Sequence, residues 1–534
     1  MSLRTATPPA IRAAQRTGTE CPICGEDRRA YLFVIRGLPV VRCPGCGLIY
    51  LSPQPDVADY RTFYDRLLEG ADPRLTIGLD GITERDAAQQ YLSTLRNRGI
   101  AAGRILLIAP PDHPFAAKAE AQGFSIGQHV SIREVGGGLD FGWDYDAAVI
   151  LYQLEKATAP LDLLNQIHSA LRPEGVLLLA TPSLDSWPAH FFGEHWTEWR
   201  PENLYYFSKA LIQSILVKSG FLEVWVEPDR RLYTLGHVND RATAFPTTSV
   251  TRLITLMYRL LPSPLREARI RLSTSGIVVT ATRAERRDRP LCSIVVPAYN
   301  ERQTFTLLMD SLLAKQVPGV DKEIIIVESN SKDGTREAAQ AYQDHPEVRL
   351  VLQDRPQGKG NAVRMGFKQA RGDILMIQDA DLEYDLNDYD TLLEPLLEYR
   401  SAFVLGARHG GNWKMRKFEG QHGLSTLLNL GHLFFTGLIN VLYGQRMCDP
   451  FTMYKVFRRD CLYGLEFECN RFDFDHELVI KLVCKGYRPL EIPVNYRSRS
   501  FKDGKKVAVV RDPLSWLWVD LKYRFVPLLH RPRR

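Results

Sequence analysis

The sequence predicts an α/β protein with two doubly wound domains, preceded by a small cysteine-rich module. Short apolar runs rich in branched residues alternate with longer helical segments in two separate stretches, about residues 104–283 and 291–526. The chain has 534 residues, which is too long for a single hydrophobic core. Two CxxC pairs precede the first stretch. Together these three observations predict the fold class.

Composition and charge exclude several classes of protein. Apolar residues make up 45% and charged residues 24% of the chain, as in an ordinary globular protein. The formal net charge of +6 is small for this length, so nucleic acid is not an expected partner. Residues 1–20 contain no apolar core and are predicted to be a disordered tail rather than a secretion signal. Nine cysteines, four of them in CxxC pairs, indicate a reducing, cytoplasmic environment.

The pattern C-x2-C-x18-C-x2-C within residues 21–52 predicts a zinc ribbon. Four thiolates at this spacing can close a tetrahedral Zn²⁺ shell with no open position, so the metal would be structural. A glycine after each pair allows the tight turn that such a ligand loop needs. Redox-active CxxC pairs and an iron–sulfur cluster are the alternatives. The predicted ligands are Cys21, Cys24, Cys43 and Cys46.

The first α/β stretch lies within a predicted domain at residues 53–285. It contains several segments that are similar to those of a known family. They are DYDAAVI at 144–150, ALRPEGVLLLATP at 170–182 and ENLYYFS at 202–208. Through them, residues 21–285 resemble class I S-adenosylmethionine-dependent methyltransferases with an N-terminal zinc ribbon. The resemblance implies the Rossmann-like methyltransferase fold.

This stretch departs from the methyltransferase pattern where the cofactor would bind. The first strand is followed by Ala109-Pro-Pro-Asp112, with two prolines in place of the glycine-rich turn that the family uses. The second strand, at residues 124–129, ends without the carboxylate expected for the ribose. Lys156 replaces a histidine frequent in the family. S-adenosylmethionine is therefore not an expected cofactor, and scaffolding or partner binding is the expected role; a bifunctional enzyme is the alternative.

An acidic sequence follows a short apolar run in the second stretch. The run Ile374–Ile377 reads as a buried parallel strand, and QDADLEYD follows it at 378–385. On an extended chain Asp379, Asp381 and Glu383 occupy alternate positions and point the same way. Carboxylates gathered at the carboxyl edge of a parallel sheet suit Mg²⁺ or Mn²⁺ with substrate phosphates. A solvated acidic turn is the alternative.

Further motifs link this acidic sequence to a family. VVPAYNE at 295–301, ESNSKDGT at 328–335, GKG at 358–360 and CDPFTMYKVF at 448–457 accompany it. Residues 291–526 thereby resemble family 2 glycosyltransferases of GT-A fold, within the dolichol-phosphate mannose synthase and polyprenyl-phosphate branch. The glycosyltransferase domain is expected at 286–534.

The resemblance implies roles for individual residues. Asp379, Asp381 and Glu383 would hold the metal, and Arg408 would face the donor phosphates. Asp449 would lie near the reacting carbon, although Asp475 is equally available as a base. The residues expected to bind the nucleotide sugar are Pro297, Tyr299, Asn300, Glu301, Glu328, Asp333, Lys359, Asp379, Ala380 and Asp381.

Basic and amphipathic segments late in the chain point to the acceptor. Arg497, Arg499 and Lys505 are expected to meet phosphate groups of donor or acceptor; a solvated basic loop is the alternative. Residues 420–445 carry one polar stripe on an otherwise apolar helix, which fits an interfacial helix or a buried one. Aromatic and basic residues after position 515 favour peripheral contact with the inner face of a membrane.

The expected function is therefore metal-dependent, inverting sugar transfer. The donor would be a UDP- or GDP-sugar, and the acceptor a polyprenyl-phosphate-type lipid or a glycan. The alternatives are a bifunctional methyltransferase–glycosyltransferase, transfer to a sugar hydroxyl in polysaccharide or glycoconjugate synthesis, and a non-catalytic scaffold.

Overall fold

The structure is a computed structural model, and it divides the chain into two compact units, Met1–Glu285 and Arg286–Arg533. The predicted tail lies outside the described residues except for Glu20. The described residues are 20–35, 37–54, 81–132, 141–200, 202–236, 239, 249–266, 268–285, 287, 289–408, 422–497 and 511–526.

The N-terminal unit contains two sheets with helices between their strands. Its strands are β1 (Ala30–Ile35), β2 (Leu38–Arg42), β3 (Ile49–Leu51), β4 (Gly103–Ile108), β5 (Phe124–Val130), β6 (Tyr145–Leu151), β7 (Leu171–Pro182), β8 (Tyr205–Tyr206), β9 (Phe221–Thr234) and β10 (Arg269–Arg283). Its helices are α1 (Gly81–Asn97), α2 (Phe115–Glu120), α3 (Pro160–Ala170), α4 (Trp187–Phe192), α5 (Lys209–Lys218), α6 (Ser249–Leu260) and α7 (Ser263–Arg266).

The order of strands in these sheets follows from the alternation in the sequence. The small sheet runs β1-β2-β3-β8 and the large sheet β5-β4-β6-β7-β10-β9. Strands β5, β4, β6 and β7 are parallel; α2 lies between β4 and β5 along the chain, and α3 lies between β6 and β7. Strand β10 is antiparallel to both of its neighbours, β7 and β9.

The C-terminal unit contains one mixed sheet in the order β13-β12-β11-β14-β16-β15-β17. Its strands are β11 (Leu291–Ala298), β12 (Asp321–Glu328), β13 (Val348–Leu352), β14 (Ile374–Ile377), β15 (Phe403–Ala407), β16 (Lys455–Arg458) and β17 (Leu490–Pro493). Its helices are α8 (Arg302–Ala314), α9 (Thr335–Gln340), α10 (Lys359–Gln369), α11 (Tyr389–Leu397), α12 (His422–Tyr443), α13 (Phe474–Lys485) and α14 (Arg511–Phe525).

The centre of this sheet is buried on both faces, as its composition predicts. Strands β11 to β14 are parallel, and all four residues of β14 are buried. Strand β16 is antiparallel to β14 and β15, which brings the chain after Asp449 beside the acidic sequence. The predicted α/β class, with two separate α/β domains, is confirmed.

Candidate functional site

The acidic sequence lies at the carboxyl edge of the C-terminal sheet, directly after β14. Ala380 is buried, and its carbonyl accepts a hydrogen bond of 2.9 Å from the Thr304 hydroxyl of α8. The side chain of Gln378 accepts one of 2.8 Å from Tyr389. These contacts fix the backbone of the turn, so Asp379 and Asp381 are held at the edge where parallel α/β sheets bind ligands.

The predicted alternation of the three carboxylates does not persist beyond the strand. Strand β14 ends at Ile377, and the chain bends before Glu383. The carboxylate of Glu383 instead accepts a hydrogen bond of 3.0 Å from Tyr496, next to a β-bridge between Tyr384 and Tyr496. Among the described residues, Asp379, Asp381 and Glu383 do not form a group whose ligand atoms all lie within 4.8 Å. The Glu383 carboxylate is thus engaged by Tyr496, while the backbone amide of Glu383 donates a hydrogen bond of 3.1 Å to Asp381.

A lysine of α10 completes the acidic edge. The ammonium of Lys359 forms an ion pair with Asp379 and lies 3.1 Å from the sulfur of Met453. Burial alone would lower the pKa of Lys359, but the charges of Asp379, Asp475 and Asp381 raise it above its ordinary value. Lys359 therefore stays protonated beside the carboxylates.

The position of Lys359 depends on the glycine before it. Gly358 has a φ of 98°, and a Cβ there would lie 2.3 Å from the carbonyl oxygen of Asn470. Only glycine fits this close approach of two backbone segments. The turn therefore packs directly onto the segment before α13, and the first helical residue points its ammonium at Asp379.

A second buried lysine pairs with the other candidate carboxylate. Lys455, at the start of β16, is fully buried and lies 3.1 Å from Asp475 on α13. Burial lowers the pKa of Lys455, and Asp475 only partly opposes this. Lys455 also donates to the carbonyl of Thr452. Asp475 is consequently engaged in an ion pair within the same cluster.

Arg408 and Asp449 form a bidentate pair behind the acidic edge. The guanidinium donates two hydrogen bonds of 2.8 Å to the carboxylate, and the backbone amide of Arg408 donates a third of 2.9 Å. Asp449 is fully buried, and His432 of α12 lies 3.8 Å from it. Burial raises the pKa of Asp449, but the Arg408 charge and hydrogen bonds outweigh it and hold this pKa well below its usual range.

The turns after β11 and β12 form one hydrogen-bonded unit. The amide of Asn300 donates to the Ser331 hydroxyl at 2.9 Å, and the Asn300 side chain accepts from the amide of Lys332 at 3.0 Å. The amide of Glu301 donates to the Thr335 hydroxyl at 2.9 Å. Tyr299 is exposed at the start of this turn, and half-buried Pro297 precedes it in β11.

The two acidic residues of the turn after β12, Glu328 and Asp333, accept hydrogen bonds from groups in and beside this turn. Glu328 is fully buried, and its carboxylate accepts hydrogen bonds from the amides of Asn330 and Ser331 and from Arg336. Burial raises the pKa of Asp333, but its hydrogen bonds from Thr335 and from the amide of Arg302 together outweigh this effect and lower the pKa. Glu328 therefore shapes the turn that Tyr299 and Asn300 face.

The late basic residues are described only in part. Arg497 is exposed, and its amide donates a hydrogen bond of 2.8 Å to the carbonyl of Glu383. This bond places Arg497 next to the acidic sequence. Arg499 and Lys505 lie outside the described residues.

Helix α12 turns the part of its polar stripe from Asn429 to Asn440 inward. Asn429, His432 and Thr436 are buried, and the Asn440 side chain bonds both the amide and the carbonyl of Met447. Thr426 of the same stripe is exposed, as are the apolar side chains of Leu430, Leu433, Phe434 and Val441. The part of the stripe from Asn429 to Asn440 thus faces the segment that carries Asp449, and the large exposed side chains of the helix are apolar.

The four N-terminal cysteines form a compact cluster. All four sulfur atoms lie within 4.8 Å of one another, with the Cys21 and Cys46 sulfurs 3.6 Å apart. Both CxxC turns have the same backbone pattern, in which the glycine amide donates to the carbonyl of the first cysteine. Gly25 and Gly47 have φ values of 75° and 77°, which these turns require. Four sulfur donors at these distances suit a tetrahedral soft-metal site.

The carboxyl edge of the large N-terminal sheet holds a buried ion-pair network. Asp229 accepts hydrogen bonds from Tyr152 at 2.5 Å, from Tyr91 at 3.0 Å and from Arg231 at 2.9 Å. Arg231 also pairs with Glu84 of α1 at 2.5 Å. Tyr152 directly follows β6, so side chains fill this part of the edge.

Sequence reasoning missed several residues that shape the C-terminal site. Lys455, Met453, His432 and Tyr496 each touch a residue that the motifs identified, and Thr304 holds Ala380. Two of them carried a signal in the sequence: a lysine inside an apolar strand, such as Lys455, needs a buried charge partner, and His432 belongs to the polar stripe of residues 420–445.

Comparisons with known proteins agree with this geometry. Residues 293–464 match the family model described as Glycosyl transferase family 2. Over 245 residues the chain is 29% identical to the dolichyl-phosphate beta-glucosyltransferase of Trichomonas vaginalis, covering 43% of this chain and 71% of that protein. Over 215 residues it is 27% identical to the dolichol-phosphate mannosyltransferase of Pyrococcus furiosus, covering 40% of this chain and 58% of that protein.

Other similar proteins match over shorter or more divergent regions. The dolichol-phosphate mannosyltransferase of Mycosarcoma maydis is 37% identical over 134 residues, covering 24% of this chain and 45% of that protein. The chain thus spans less than two thirds of both mannosyltransferases. The solved glucosyl-3-phosphoglycerate synthase from Mycobacterium tuberculosis in complex with UDP is 20% identical, with a TM-score of 0.35, covering 45% of this chain and 81% of that one.

The matched region defines the class of the protein. It is an enzyme, a glycosyltransferase, and residues 293–464 of its C-terminal unit match the family 2 model. Within family 2, this domain is similar to the dolichol-phosphate glycosyltransferases.

Proposed function

We propose that the protein is a metal-dependent, inverting glycosyltransferase that moves a sugar from a UDP- or GDP-sugar to a polyprenyl phosphate. The observation that carries the proposal is the pairing of Asp379 with Lys359 beside Asp381, at the carboxyl edge of a family 2 domain. Acidic and basic side chains there can engage both a cation and phosphates.

The donor side of the site follows from the turns after β11 and β12. Tyr299 offers a ring for the base, and the linked turns around Asn300 and Asp333 offer polar groups for the nucleoside. Asp379 and Asp381 would hold Mg²⁺ or Mn²⁺, because Mg²⁺ is bound by one or two carboxylates together with substrate phosphates. When bound, the metal would neutralise charge on the departing nucleoside diphosphate. Lys359 stays protonated and would orient the same diphosphate.

The state of the two candidate bases favours a phosphate acceptor. Asp449 is paired bidentately with Arg408, and its lowered pKa makes it a poor proton acceptor near neutral pH. Asp475 is paired with Lys455. A sugar hydroxyl needs a base to become a nucleophile, whereas a phosphate monoester is already anionic. Its oxygen would attack the anomeric carbon opposite the diphosphate, which inverts the configuration in one step.

Several surfaces support peripheral contact with a membrane. Leu433, Phe434 and Val441 are exposed on α12, as are Trp518 and Phe525 on α14. Arg511, Lys522 and Arg524 lie on α14 as well. Within the described part of the chain, no helix meets the length and apolarity that crossing a bilayer requires. We place the enzyme on the inner, cytoplasmic face of the membrane.

The N-terminal unit has a separate proposed role. The sulfur cluster would hold one structural Zn²⁺ through Cys21, Cys24, Cys43 and Cys46. The network around Asp229 and Arg231 occupies the sheet edge where S-adenosylmethionine would be expected, so we assign this unit no methyl transfer. It would orient the catalytic unit or bind a partner.

The acceptor is tested by direct competition. Purified full-length protein is given a panel of UDP- and GDP-sugars with Mg²⁺ or Mn²⁺ in detergent, with either a short-chain polyprenyl phosphate or oligosaccharides as acceptor. We expect transfer to the phosphate only. We also expect Asp381→Asn to abolish this transfer while the circular dichroism spectrum stays unchanged.

Two controls accompany this test, and two outcomes would defeat the proposal. Asp390→Asn, which changes an exposed aspartate paired with Lys315, should leave turnover near wild type. Addition of a chelator should stop transfer if the metal is required. Transfer to sugar hydroxyls alone, lost in Asp449→Asn or Asp475→Asn, would defeat the lipid-phosphate acceptor. Turnover of Asp381→Asn within a few-fold of wild type would defeat the metal assignment.

A further inference from the structure

Helix α6 of the N-terminal unit exposes an apolar face that the glycosyltransferase site does not use. Leu253, Leu256, Met257 and Leu260 are 54%, 55%, 60% and 75% exposed. Their spacing of three and four residues places them on one side of the helix. Leu265, on the short helix α7 that follows, is 49% exposed. Single exposed leucines are common, but a continuous row of this kind indicates an interaction surface.

The charges of this segment are all of one sign. Residues 249–266 contain three arginines and no aspartate or glutamate. Successive residues of an α-helix are rotated by about 100° around its axis. Arg252 and Arg259 therefore lie on the same flank of the helix, about 100° around the axis from the centre of the apolar row. Both are exposed. The helix therefore presents an apolar face bordered by positive charge.

The end of the helix is fixed by a third arginine. Arg266 donates hydrogen bonds of 2.8 Å to the carbonyl oxygens of Leu261 and Arg259, and its guanidinium lies 5.5 Å from the centre of the Tyr258 ring. A cation here satisfies carbonyl groups that a helix end leaves without partners. The apolar row is thus displayed on a helix with an ordered C-terminal end.

We infer that α6 is an interfacial membrane anchor that binds the surface of a bilayer containing anionic lipids. Its apolar row would enter the boundary between headgroups and acyl chains, and Arg252 and Arg259 would reach the lipid phosphates. Charge complementarity selects this partner. An antiparallel two-fold dimer through the same face would bring the arginine flanks of both copies together, and like charges repel.

None of the residues of α6 belongs to the proposed glycosyltransferase site. The helix would add a second membrane contact, in the other unit of the chain. Its test requires neither a nucleotide sugar nor an acceptor, so its failure is distinguishable from failure of the proposed reaction.

The test is flotation of full-length protein with vesicles of phosphatidylcholine, with and without phosphatidylglycerol. Leu256→Ser with Leu260→Ser should lower the partition coefficient on anionic vesicles at least about tenfold. Arg252→Gln with Arg259→Gln should lower the partition coefficient on anionic vesicles about tenfold to thirtyfold, because each charge removed is worth about fivefold. On neutral vesicles the same variant should bind about as well as wild type. Leu307→Ser, at a leucine that is 58% exposed on α8, is the matched control and should bind like wild type.

Two further measurements keep the inference falsifiable. Thermal unfolding checks that each variant is folded; if the leucine pair disrupts folding, the arginine pair still decides. Sedimentation velocity of wild type without vesicles tests a dimer through this face. Unchanged vesicle binding in both double variants would overturn the inference. Self-association lost in the leucine variant, with vesicle binding retained, would assign the face to a second copy instead.

Discussion

At the scale of single residues, the candidate site at the carboxyl edge of the C-terminal sheet is a set of compensated charges. Lys359 pairs with Asp379, Lys455 with Asp475 and Arg408 with Asp449. A buried charge is tolerated only with a partner, so each pair fixes the position of two side chains at once. The Arg408–Asp449 pair is the most deeply buried of the three, since its carboxylate has no exposed surface.

Breaking that pair should destabilise the C-terminal unit. We expect Asp449→Asn to lower the free energy of unfolding by about 3–5 kcal/mol at pH 7, because it leaves the Arg408 guanidinium buried without its counter-charge. Urea unfolding followed by circular dichroism measures this. Glu398→Gln, which breaks the exposed pair with Arg400, is the matched control and should cost less than about 1 kcal/mol. Equal losses in both variants would contradict the assignment.

The same variant should change the acid sensitivity of the protein. The folded-state pKa of Asp449 is depressed, so the pair stabilises fully above the unfolded value of about 3.9 and loses this contribution as the pH falls toward the folded value. Wild type should therefore lose more stability than Asp449→Asn between about pH 5 and pH 3. Identical pH profiles would show that Asp449 contributes nothing to this window.

At the scale of elements, the cysteine cluster depends on two equivalent turns. The small sheet β1-β2-β3-β8 connects them to the rest of the unit, and Lys218 at the end of α5 donates a hydrogen bond of 2.7 Å to the carbonyl of Ile23. A metal held between the turns would therefore stabilise the packing of this sheet.

We expect one zinc ion per chain in protein purified without chelators. Elemental analysis by mass spectrometry measures it. Cys24→Ser should lose the zinc and lower the unfolding temperature of the N-terminal unit, because three thiolates no longer close the shell. Cys484→Ser, at an exposed cysteine outside the cluster, should keep both. Iron in place of zinc, or an absence of metal, would refute the assignment.

At the scale of the whole molecule, two units of the same fold class use their sheet edges differently. The C-terminal edge brings charged side chains to the place where a nucleotide sugar would bind. The N-terminal edge places Tyr91, Tyr152, Asp229 and Arg231 in one buried network. We therefore propose different roles for the two units, because function depends on the residues of a site and not on the fold alone.

The N-terminal unit should not bind S-adenosylmethionine usefully. The turn Ala109-Pro-Pro-Asp112 lacks the amides of a glycine-rich turn, and the Asp229–Arg231 network occupies the neighbouring edge. Calorimetry on the full chain should give millimolar or undetectable binding, with a UDP- or GDP-sugar titrated into the same sample as the positive control. A low-micromolar Kd, about −8 kcal/mol, would contradict this prediction.

The sequence by itself determined the features that depend on neighbours along the chain. Apolar runs such as Ile374–Ile377 predicted the buried strands, and their alternation with helices predicted the α/β class. The spacing of the cysteines predicted their cluster. Strand burial, turn chemistry and ligand spacing are local properties, so a linear pattern records them.

Only the tertiary structure decided which charges meet. Arg408 and Asp449 are separated by 41 residues, and β16 brings them together by pairing antiparallel with β15. The chain bends after Ile377 and the Glu383 carboxylate accepts a hydrogen bond from the hydroxyl of Tyr496, where an extended chain would have aligned all three carboxylates. Such contacts depend on how distant segments pack, and no periodicity in the sequence encodes them. The sequence therefore supplied the residues of the site, and packing selected their partners.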